Sequence, residues 1–429
     1  MKFIDLFSGL GGFHVGLKNN GHECVFSCEI DKDLRDLYES NHGVRPHDDI
    51  RTARESEIPA HDILCAGFPC QPFSLAGKKK GATCPESGRL IDHVVRIAKH
   101  HKPKFILLEN VPNVLTIENG QFWNYVRSSF ELIGYKMDYR IISPVDLGIP
   151  QNRKRVFILG TRSDVKNESF KWPSASDEGI IKVSLNEILD NSLHHKKLEI
   201  KKSDTLLLWQ ELLNGLNIET LSGVSIVAPE FGANYPENFV NLSLKDMRQY
   251  KGAYGQSLER CRTWSELLSH IPSYAQKNKK ISPWILKSVR FSRNLYQENK
   301  GLCEKWSKKL NKINNSWQIL EWRGDHTKHV IGNHVVQFRA SGIRVLRADV
   351  APSLIAMTPT QIPIIPSESR YVSKYEAAKL QHLHTLKKLP EKNNAAFKAL
   401  GNAVNAKIIE LIGRNLTSIN SHASTINSV

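Results

Sequence analysis

A cysteine, a glutamate and two arginines stand where covalent chemistry could be carried out. Cys70 lies in a Gly-Phe-Pro-Cys-Gln-Pro segment that directly follows an apolar run. Glu109 follows the next apolar run, and Arg153 and Arg155 precede another. A thiol is nucleophilic when it is ionised, and only a few per cent is ionised near neutral pH, so its surroundings must stabilise the thiolate or remove the proton. Without Cys70 upstream, a helix cap would be the better interpretation of Glu109, and surface charges that of the two arginines. With Cys70 present, the four residues are candidates for one covalent catalytic site.

A glycine-rich turn follows the first apolar run and opens a helical pattern, in the segment Phe7-Ser8-Gly9-Leu10-Gly11-Gly12. Glycines let the backbone turn tightly and approach a ligand, and a helix N-terminus offers free N–H groups. Glu29 ends the second strand pattern, where an acid can bind ribose hydroxyls. Asp49-Ile50 occupies the next loop, where a carboxylate can accept from an adenine amino group. Each acid alone could be an ordinary loop residue, but together they favour one binding site.

These residues are held by an alternation of strand and helix patterns over the first 160 residues. We predict strands at 2–7, 24–29, 62–66, 105–108, 135–142 and 155–159, and helices at 13–19, 31–40 and 89–101. The alternation predicts a doubly wound α/β domain in which helices cover a parallel sheet. Helical patterns return at 374–381 and 395–412, and the polar tail after them is expected to be disordered.

From about Trp172 to His334 the alternation stops, and no internal repeat is found. Between Lys277 and Lys328 there are thirteen lysines and arginines against four acids. Six aromatic residues are interleaved with them, namely Trp284, Phe291, Tyr296, Trp306, Trp317 and Trp322. This mixture suits nucleic-acid contact. The alternative, which we favour for most individual residues, is that the aromatics form the region's own core.

Composition sets further limits. The 429 residues are 40% hydrophobic, which predicts a globular protein of two or three domains. The formal charge of +16 indicates a polyanionic partner. The seven cysteines show no paired CxxC spacing, so we expect reduced thiols and no zinc. No apolar run approaches the roughly 20 residues of a membrane span, and we expect no signal peptide.

Four motifs, in this order, resemble the DNA (cytosine-5) methyltransferase family. They are Pro69-Cys70-Gln71, Glu109-Asn110-Val111, Gln151-Asn152-Arg153-Lys154-Arg155 and Gly401-Asn402-Ala403-Val404. The resemblance covers roughly residues 1–160 and 371–410. It implies a Rossmann-like methyltransferase domain dependent on S-adenosylmethionine, with a second, smaller target-recognition domain. It also implies DNA (cytosine-5-)-methyltransferase activity of the restriction-modification type.

The resemblance assigns a role to each chemical group. Cys70 would add to C6 of cytosine, which makes C5 electron-rich enough to take a methyl group. Glu109 would donate a proton or hydrogen bond at N3, Arg155 would hold O2 and orient Glu109, and Arg153 would lie near the base or backbone. The cytosine would be flipped out of the duplex, and segment 76–88 resembles the family's mobile loop. The base that removes the C5 proton is not identified, and water is an alternative.

The cofactor pocket is carried over residue by residue. The resemblance assigns it to Phe7, Gly9, Leu10, Gly11, Gly12, Glu29, Ile30, Asp49, Ile50, Pro69, Leu90, Asn402 and Ala403. The product would be S-adenosylhomocysteine, and no metal is expected. Two departures stand out: Asn405 occurs where relatives often carry proline, and Ser353-Leu354 stands for the Thr-Leu pair that ends the family's recognition region.

Three alternatives were weighed against this interpretation. An RNA (tRNA) cytosine-5 methyltransferase would use the same cysteine chemistry, but would not obviously need the long basic region. A catalytically silent DNA-binding relative is disfavoured because every chemical position is intact. An adenine methyltransferase would carry an Asp/Asn-Pro-Pro-aromatic motif in place of the Pro-Cys-Gln site.

The sequence therefore predicts a specific organisation. Residues 1–171 would bind the cofactor, 172–345 would recognise the target, 346–415 would complete the catalytic domain, and 416–429 would be disordered. The expected partners are double-stranded DNA and a cognate restriction endonuclease acting on the same sequence. We expect a monomer in the bacterial cytoplasm or nucleoid, without membrane association.

Overall fold

The chain forms two compact units in the computed structural model, which describes residues 1–69, 90–166, 169–176, 179–192, 195–216, 221, 223–239, 241–276, 282–310, 314–326, 328–354 and 361–425. Unit 1 comprises Met1–Ser192, Pro352–Pro359 and Ser373–Val429. Unit 2 comprises Leu193–Ala351 and Thr360–Val372.

The unit boundaries differ from the predicted ones. Unit 1 continues to Ser192 instead of ending at residue 171, because Trp172 and Ile180 pack against its hydrophobic core and Leu185 is buried. Residues 360–372, predicted to return to the catalytic domain, belong to unit 2 because their strands join its sheet.

Unit 1 is built around a six-stranded sheet in the order β2-β1-β3-β4-β7-β5. The strands are β1 (Lys2–Leu6), β2 (Glu23–Cys28), β3 (Ile63–Ala66), β4 (Phe105–Asn110), β5 (Tyr135–Ile142) and β7 (Arg155–Arg162), with a short β6 (Gln151–Asn152) before β7. The first four strands are parallel, but β7 is antiparallel to both β4 and β5. The sheet is therefore mixed rather than wholly parallel, since β5 and β7 are joined without the crossover helix that a parallel pair needs.

Unit 1 contains eight α-helices among its described residues. They are α1 (Gly12–Lys18), α2 (Lys32–His42), α3 (Leu90–His101), α4 (Gln121–Glu131), α5 (Leu185–Ile188), α11 (Lys374–Leu380), α12 (Asn393–Asn402) and α13 (Ala406–Thr425). Of these, α3 and α4 pack on one face of the sheet and α1 and α13 on the other. Alternate strand residues point to opposite faces, so Ile4 and Leu6 pack with α3 while Phe3 packs with α1 and α13. The predicted doubly wound α/β fold is confirmed.

The C-terminal helices differ from the prediction. One helix was expected over 395–412, but the chain forms α12 and α13 with a break between them. Ala403 is extended, with φ −63° and ψ 143°, and Asn405 then begins the next helix. Helix α13 runs to Thr425, so helical backbone extends into the segment 416–429 that was predicted to be disordered.

Open α/β sheets bind their ligands at the edge where the parallel strands end. The glycine turn follows β1, Glu29 follows β2, Gly67 follows β3 and Val111 follows β4. Because β7 runs in the opposite direction, its first residue, Arg155, lies at this same edge.

Unit 2 contains a second six-stranded sheet, in the order β14-β13-β10-β11-β9-β8. Its strands are β8 (Ser225–Val227), β9 (Ile319–Arg323), β10 (Val335–Arg339), β11 (Gly342–Leu346), β13 (Ile364–Ile365) and β14 (Arg370–Tyr371), and the short β12 (Ala351–Pro352) lies at the unit boundary. Its helices are α6 (Ile200–Gly215), α7 (Leu244–Met247), α8 (Trp264–Ser269), α9 (Pro283–Glu298) and α10 (Lys300–Ser307).

Tryptophans form much of the unit 2 core. Trp209, Trp306 and Trp322 are all fully buried in it, and Phe291, Tyr296 and Trp317 pack against it while partly buried. The core interpretation therefore holds for five of the six aromatics that are interleaved with basic residues. Trp284, by contrast, is 64% exposed at the start of α9 and is available for contact. Among the described residues, no helix is both long enough and apolar enough to span a membrane.

Candidate active site

The glycine turn after β1 has a strained backbone. Phe7, although not a glycine, has φ 58°, and Gly9 and Gly11 have φ 52° and 84°. A positive φ at a bulky residue is uncommon and is retained where the surroundings impose it, often at functional sites. A Cβ on Gly11 would lie 2.4 Å from His42 Nε2, so this position has no room for a side chain.

Glu29 fixes this turn to the second strand. Its Oε2 accepts a hydrogen bond from Gly9 N at 2.9 Å, and its Oε1 accepts one from Asp31 N at 2.9 Å. A carboxylate can accept about four hydrogen bonds, so Glu29 retains acceptor capacity toward a ligand.

A cavity opens between the glycine turn, the loops after β2 and β3, and the start of α3. It is lined by Phe7, Cys28, Glu29, Ile30, Asp48, Asp49, Ile50, Arg51, Pro69 and Leu90. Seven of these were predicted as cofactor residues, whereas Cys28, Asp48 and Arg51 were not. Gly9, Leu10, Gly11, Gly12, Asn402 and Ala403, the other predicted residues, are not among these lining residues, although Gly9 bonds directly to Glu29, which is.

Arg51 holds Asp49 with two nitrogens. Arg51 Nε lies 2.9 Å and Nη2 lies 2.6 Å from Asp49 Oδ2, and these bonds lower the pKa of the Asp49 carboxyl. The sequence signal was only a basic residue two positions after the acid, and such spacing does not reveal which side chains pair.

The cavity lining has the chemistry of a nucleoside site rather than a phosphate site. Three carboxylates, those of Glu29, Asp48 and Asp49, face one guanidinium that Asp49 already engages. This charge repels phosphates but suits hydroxyl and amino donors and a positively charged sulfonium. Ile30 is 67% exposed beside these acids, and it offers apolar surface to a flat ring. The residues present therefore fit S-adenosylmethionine.

Glu109 and Arg155 form a buried ion pair at the ends of β4 and β7. Arg155 Nε lies 3.1 Å from Glu109 Oε1, and Glu109 is only 7% exposed. Burial raises the pKa of Glu109, and the nearby charges of Arg155 and Arg153 oppose this rise without cancelling it. A carboxyl in this environment can keep its proton at a higher pH than an exposed glutamate can.

Asn110 connects this pair to the loop that leads to the cysteine motif. Its side-chain amide donates to Phe68 O at 3.0 Å, and its Oδ1 accepts from Val111 N at 2.8 Å. Pro69 reaches the cavity wall. Cys70 and segment 76–88 lie outside the described residues.

Arg153 occupies a different environment from Arg155. It is 2% exposed, and its two terminal nitrogens donate to Leu354 O, Gly401 O and Ala403 O at 3.3, 2.8 and 3.0 Å. Burial lowers the pKa of Arg153 to about 9. These contacts favour a positioning role, and the predicted place of Arg153 near the base or backbone stays a prediction.

The C-terminal motif packs behind the glycine turn. A Cβ on Gly12 would lie 2.3 Å from Val404 O, so these two backbones touch. Asn405 Oδ1 accepts hydrogen bonds from Lys407 N and Ile408 N at 3.1 and 3.3 Å, which makes Asn405 the N-cap of α13. The departure from proline thus provides a helix cap.

The described residues contain no group of three or more His, Cys, Asp or Glu side chains that could hold a metal ion. The expectation of a metal-free reaction stays a prediction. The five described cysteines, Cys24, Cys28, Cys65, Cys261 and Cys303, are free thiols.

The doubly wound sheet and the site at its carboxyl edge define a Rossmann-like methyltransferase fold. The sequence model of the C-5 cytosine-specific DNA methylases matches residues 1–418, and the chain belongs to this family. The family resemblance of the four motifs is thereby confirmed.

Several Type II methyltransferases are similar in sequence. M.HhaI of Haemophilus parahaemolyticus is 37% identical over 214 residues, which cover 49% of this chain and 64% of that protein. M.BsuFI of Bacillus subtilis is 40% identical over 192 residues, covering 45% and 46%. M.NgoBI of Neisseria gonorrhoeae is 37% identical over 231 residues, covering 51% and 71%. The aligned part thus spans about half to two thirds of the length of these curated relatives.

Two solved structures resemble the whole chain in fold. A candidate DNA modification methyltransferase encoded within an E. coli prophage has a TM-score of 0.53 at 17% identity, covering 98% of this chain and 99% of that one. The S. pombe Dnmt2 methyltransferase has a TM-score of 0.50 at 17% identity with the same coverage. At this identity the likeness concerns the fold alone.

Proposed function

We propose that this protein transfers a methyl group from S-adenosylmethionine to C5 of a cytosine in duplex DNA, through a covalent bond between Cys70 and C6. The observation that carries the proposal is the buried pair of Glu109 and Arg155, tied through Asn110 to the loop that precedes Cys70. Such a pair supplies a proton donor and a fixed positive charge to one edge of a planar ring.

Bound S-adenosylmethionine supplies an electrophilic methyl group on a sulfonium. Glu29 would accept hydrogen bonds from the ribose hydroxyls, and Asp49, held by Arg51, would accept one from the adenine amino group. Ile30, Phe7 and Leu90 provide apolar surface for the ring.

The chain's own groups then make C5 nucleophilic. The Cys70 thiolate forms a bond to C6, and the displaced electron pair moves toward N3 and O2. Glu109 donates its proton at N3, while Arg155 stabilises O2 and keeps Glu109 in place. C5 takes the methyl group, and the bonding pair of the broken S–CH3 bond stays with S-adenosylhomocysteine. A base then removes the C5 proton, the C5–C6 double bond re-forms as the S–C6 bond breaks, the thiolate returns, and N3 gives its proton back to Glu109.

DNA is the substrate that membership of the DNA methylase family and the long basic region of unit 2 favour. The formal charge of +16 provides for phosphate contacts, and unit 2, with exposed Trp284, would read the target sequence. We further propose that the cytosine is flipped out of the duplex, and that a restriction endonuclease acts on the same sequence. A monomer in the cytoplasm would suffice for this role.

The test is base-resolved mapping of 5-methylcytosine in DNA and RNA from methylation-free cells that express the protein. We expect one short DNA sequence, methylated at a single cytosine, with the wild type and with a Cys261→Ala control. Cys70→Ala should leave no methylation while it retains affinity for S-adenosylhomocysteine. If RNA is methylated and DNA is not, the substrate is RNA and the DNA assignment is wrong. If Cys70→Ala still methylates, the covalent mechanism is refuted.

A further inference from the structure

Arg153 joins two chain segments that are far apart in sequence. Nη1 donates to Leu354 O at 3.3 Å and lies 3.5 Å from Ser353 Oγ, while Nη2 donates to Gly401 O and Ala403 O at 2.8 and 3.0 Å. These partners lie 200 to 250 residues after Arg153, and the side chain that connects them is almost completely buried.

The two segments adjoin different functional regions of the chain. Ser353-Leu354 follows directly on the long stretch of chain that forms most of unit 2, at the end of the region expected to recognise DNA. Ala403 precedes Val404, whose carbonyl touches Gly12 in the glycine turn. One side of the guanidinium thus holds the segment that directly follows the recognition region in the chain, and the other side holds the segment that packs against the glycine turn.

We propose that Arg153 is a positioning residue that couples DNA binding to cofactor binding. A buried guanidinium must have its donors satisfied, and a site in which only one segment is in place leaves donors without partners. Ordering either segment therefore favours ordering the other. Two ligands that each order one segment will strengthen each other's binding, and the coupling must be reciprocal.

An arginine is required for this coupling. Its planar fork presents two terminal nitrogens that can face different segments at once, whereas a lysine is a single point charge. Lysine can keep the positive charge and much of the volume but cannot hold both segments in the same way. Arg153→Lys is therefore the informative variant, and Arg162→Lys at the other end of β7 is its control, since Arg162 also donates to a backbone carbonyl, that of Lys102.

The inference rests on the proposed function, and its experiment keeps the two apart. The affinity for S-adenosylhomocysteine is measured with and without a duplex carrying the sequence found by methylation mapping. We expect the duplex to tighten binding by about fivefold or more in the wild type and in Arg162→Lys. In Arg153→Lys the gain should fall below about twofold, even where each ligand still binds alone. A purely structural role would weaken each separate binding step and leave the gain unchanged.

A second measurement needs no variant. Amide hydrogen exchange at Ser353 and Leu354 should slow when S-adenosylhomocysteine alone binds the wild type. The coupling would be overturned if exchange at these two amides did not change. It would also be overturned if the duplex tightened cofactor-product binding as much in Arg153→Lys as in the wild type, or if the wild type bound both ligands and the duplex did not tighten that binding at all. A wild type that binds neither ligand would refute the proposed function, and the coupling with it.

Discussion

The side-chain amide of Asn110 donates a hydrogen bond to the backbone carbonyl of Phe68 at 3.0 Å, and both residues are at least 95% buried. Through this bond the end of β4, which carries Glu109, sets the position of the loop that runs into Cys70. The strand end that carries Glu109 and the loop that precedes Cys70 are thereby joined by one buried contact.

Replacing Asn110 with alanine should impair both stability and chemistry. Phe68 O would lose its donor and Val111 N its acceptor, at a cost of about 1–3 kcal/mol in the free energy of unfolding. Misplacement of the loop should slow single-turnover methylation by about 10- to 100-fold. Asn113→Ala, on the exposed side of the following turn, is the control for both measurements. Wild-type turnover in Asn110→Ala would remove this bond from the catalytic arrangement.

Glu109 should make stability depend on pH in a particular direction. Its pKa is raised by burial, whereas in the unfolded chain it is about 4.3. Between these two values the folded state keeps a proton that the unfolded state has released, so stability falls as the pH rises, by up to about 1.4 kcal/mol per pH unit. Below the unfolded pKa and above the folded pKa the contribution is constant.

The comparison is the free energy of unfolding of the wild type and of Glu109→Gln, measured in urea between pH 4 and pH 8. The wild type should lose stability relative to the variant as the pH rises through the window, because glutamine has no proton to release. Glu131→Gln, on the surface of α4, controls for the loss of a charge. A difference that stays constant with pH would contradict the raised pKa of Glu109.

Gly12 should tolerate no side chain. Because a Cβ there would lie 2.3 Å from Val404 O, Gly12→Ala must push the C-terminal segment away from the glycine turn. We expect destabilisation of about 1–3 kcal/mol and at least about tenfold weaker binding of S-adenosylhomocysteine by calorimetry. Gly301→Ala, where a Cβ meets nothing within 4 Å, should be neutral or stabilise by up to about 1 kcal/mol. Equal behaviour of the two variants would argue against close packing at Gly12.

Asn405 should act as a helix cap whose function aspartate can replace in part. Asn405→Ala removes the acceptor for Lys407 N and Ile408 N, and should lower the free energy of unfolding by about 1–2 kcal/mol. Asn405→Asp keeps that acceptor but loses the donation to Leu380 O at 3.0 Å, so it should cost less than alanine. Denaturation in urea distinguishes these cases. An aspartate variant as unstable as the alanine variant would show that the Leu380 bond matters more than the cap.

The strand ends of unit 1 could be predicted because short apolar runs bounded by glycine and polar residues have few alternatives. The direction of β7 could not be predicted, because the residues of a strand do not indicate whether its neighbours are parallel or antiparallel to it. Arg51 was not predicted as a cavity residue, and Arg153 was expected near the base or backbone rather than on backbone carbonyls of its own chain. Both outcomes have the same physical cause. Their partners are set by tertiary packing, in the case of Arg153 with segments 200 residues or more away. Asn405 was the exception, since an asparagine ahead of a helical pattern is a local capping signal that could have divided the predicted helix.

The close packing of α1 against α13 also has a consequence for how the protein is made. Gly16 has no room for a Cβ because Ala406 O would lie 2.5 Å away, and Asn19 bonds to Glu410, 391 residues later in the chain. At about 5–20 residues per second, a ribosome synthesises Glu410 about 20–80 s after Asn19. For most of that interval the nascent chain already carries the glycine turn and the cysteine motif, but the helix behind the turn has an exposed apolar face. Competence to bind the cofactor would then arrive late and abruptly during translation, and a stalled chain would be a substrate for chaperones rather than an enzyme.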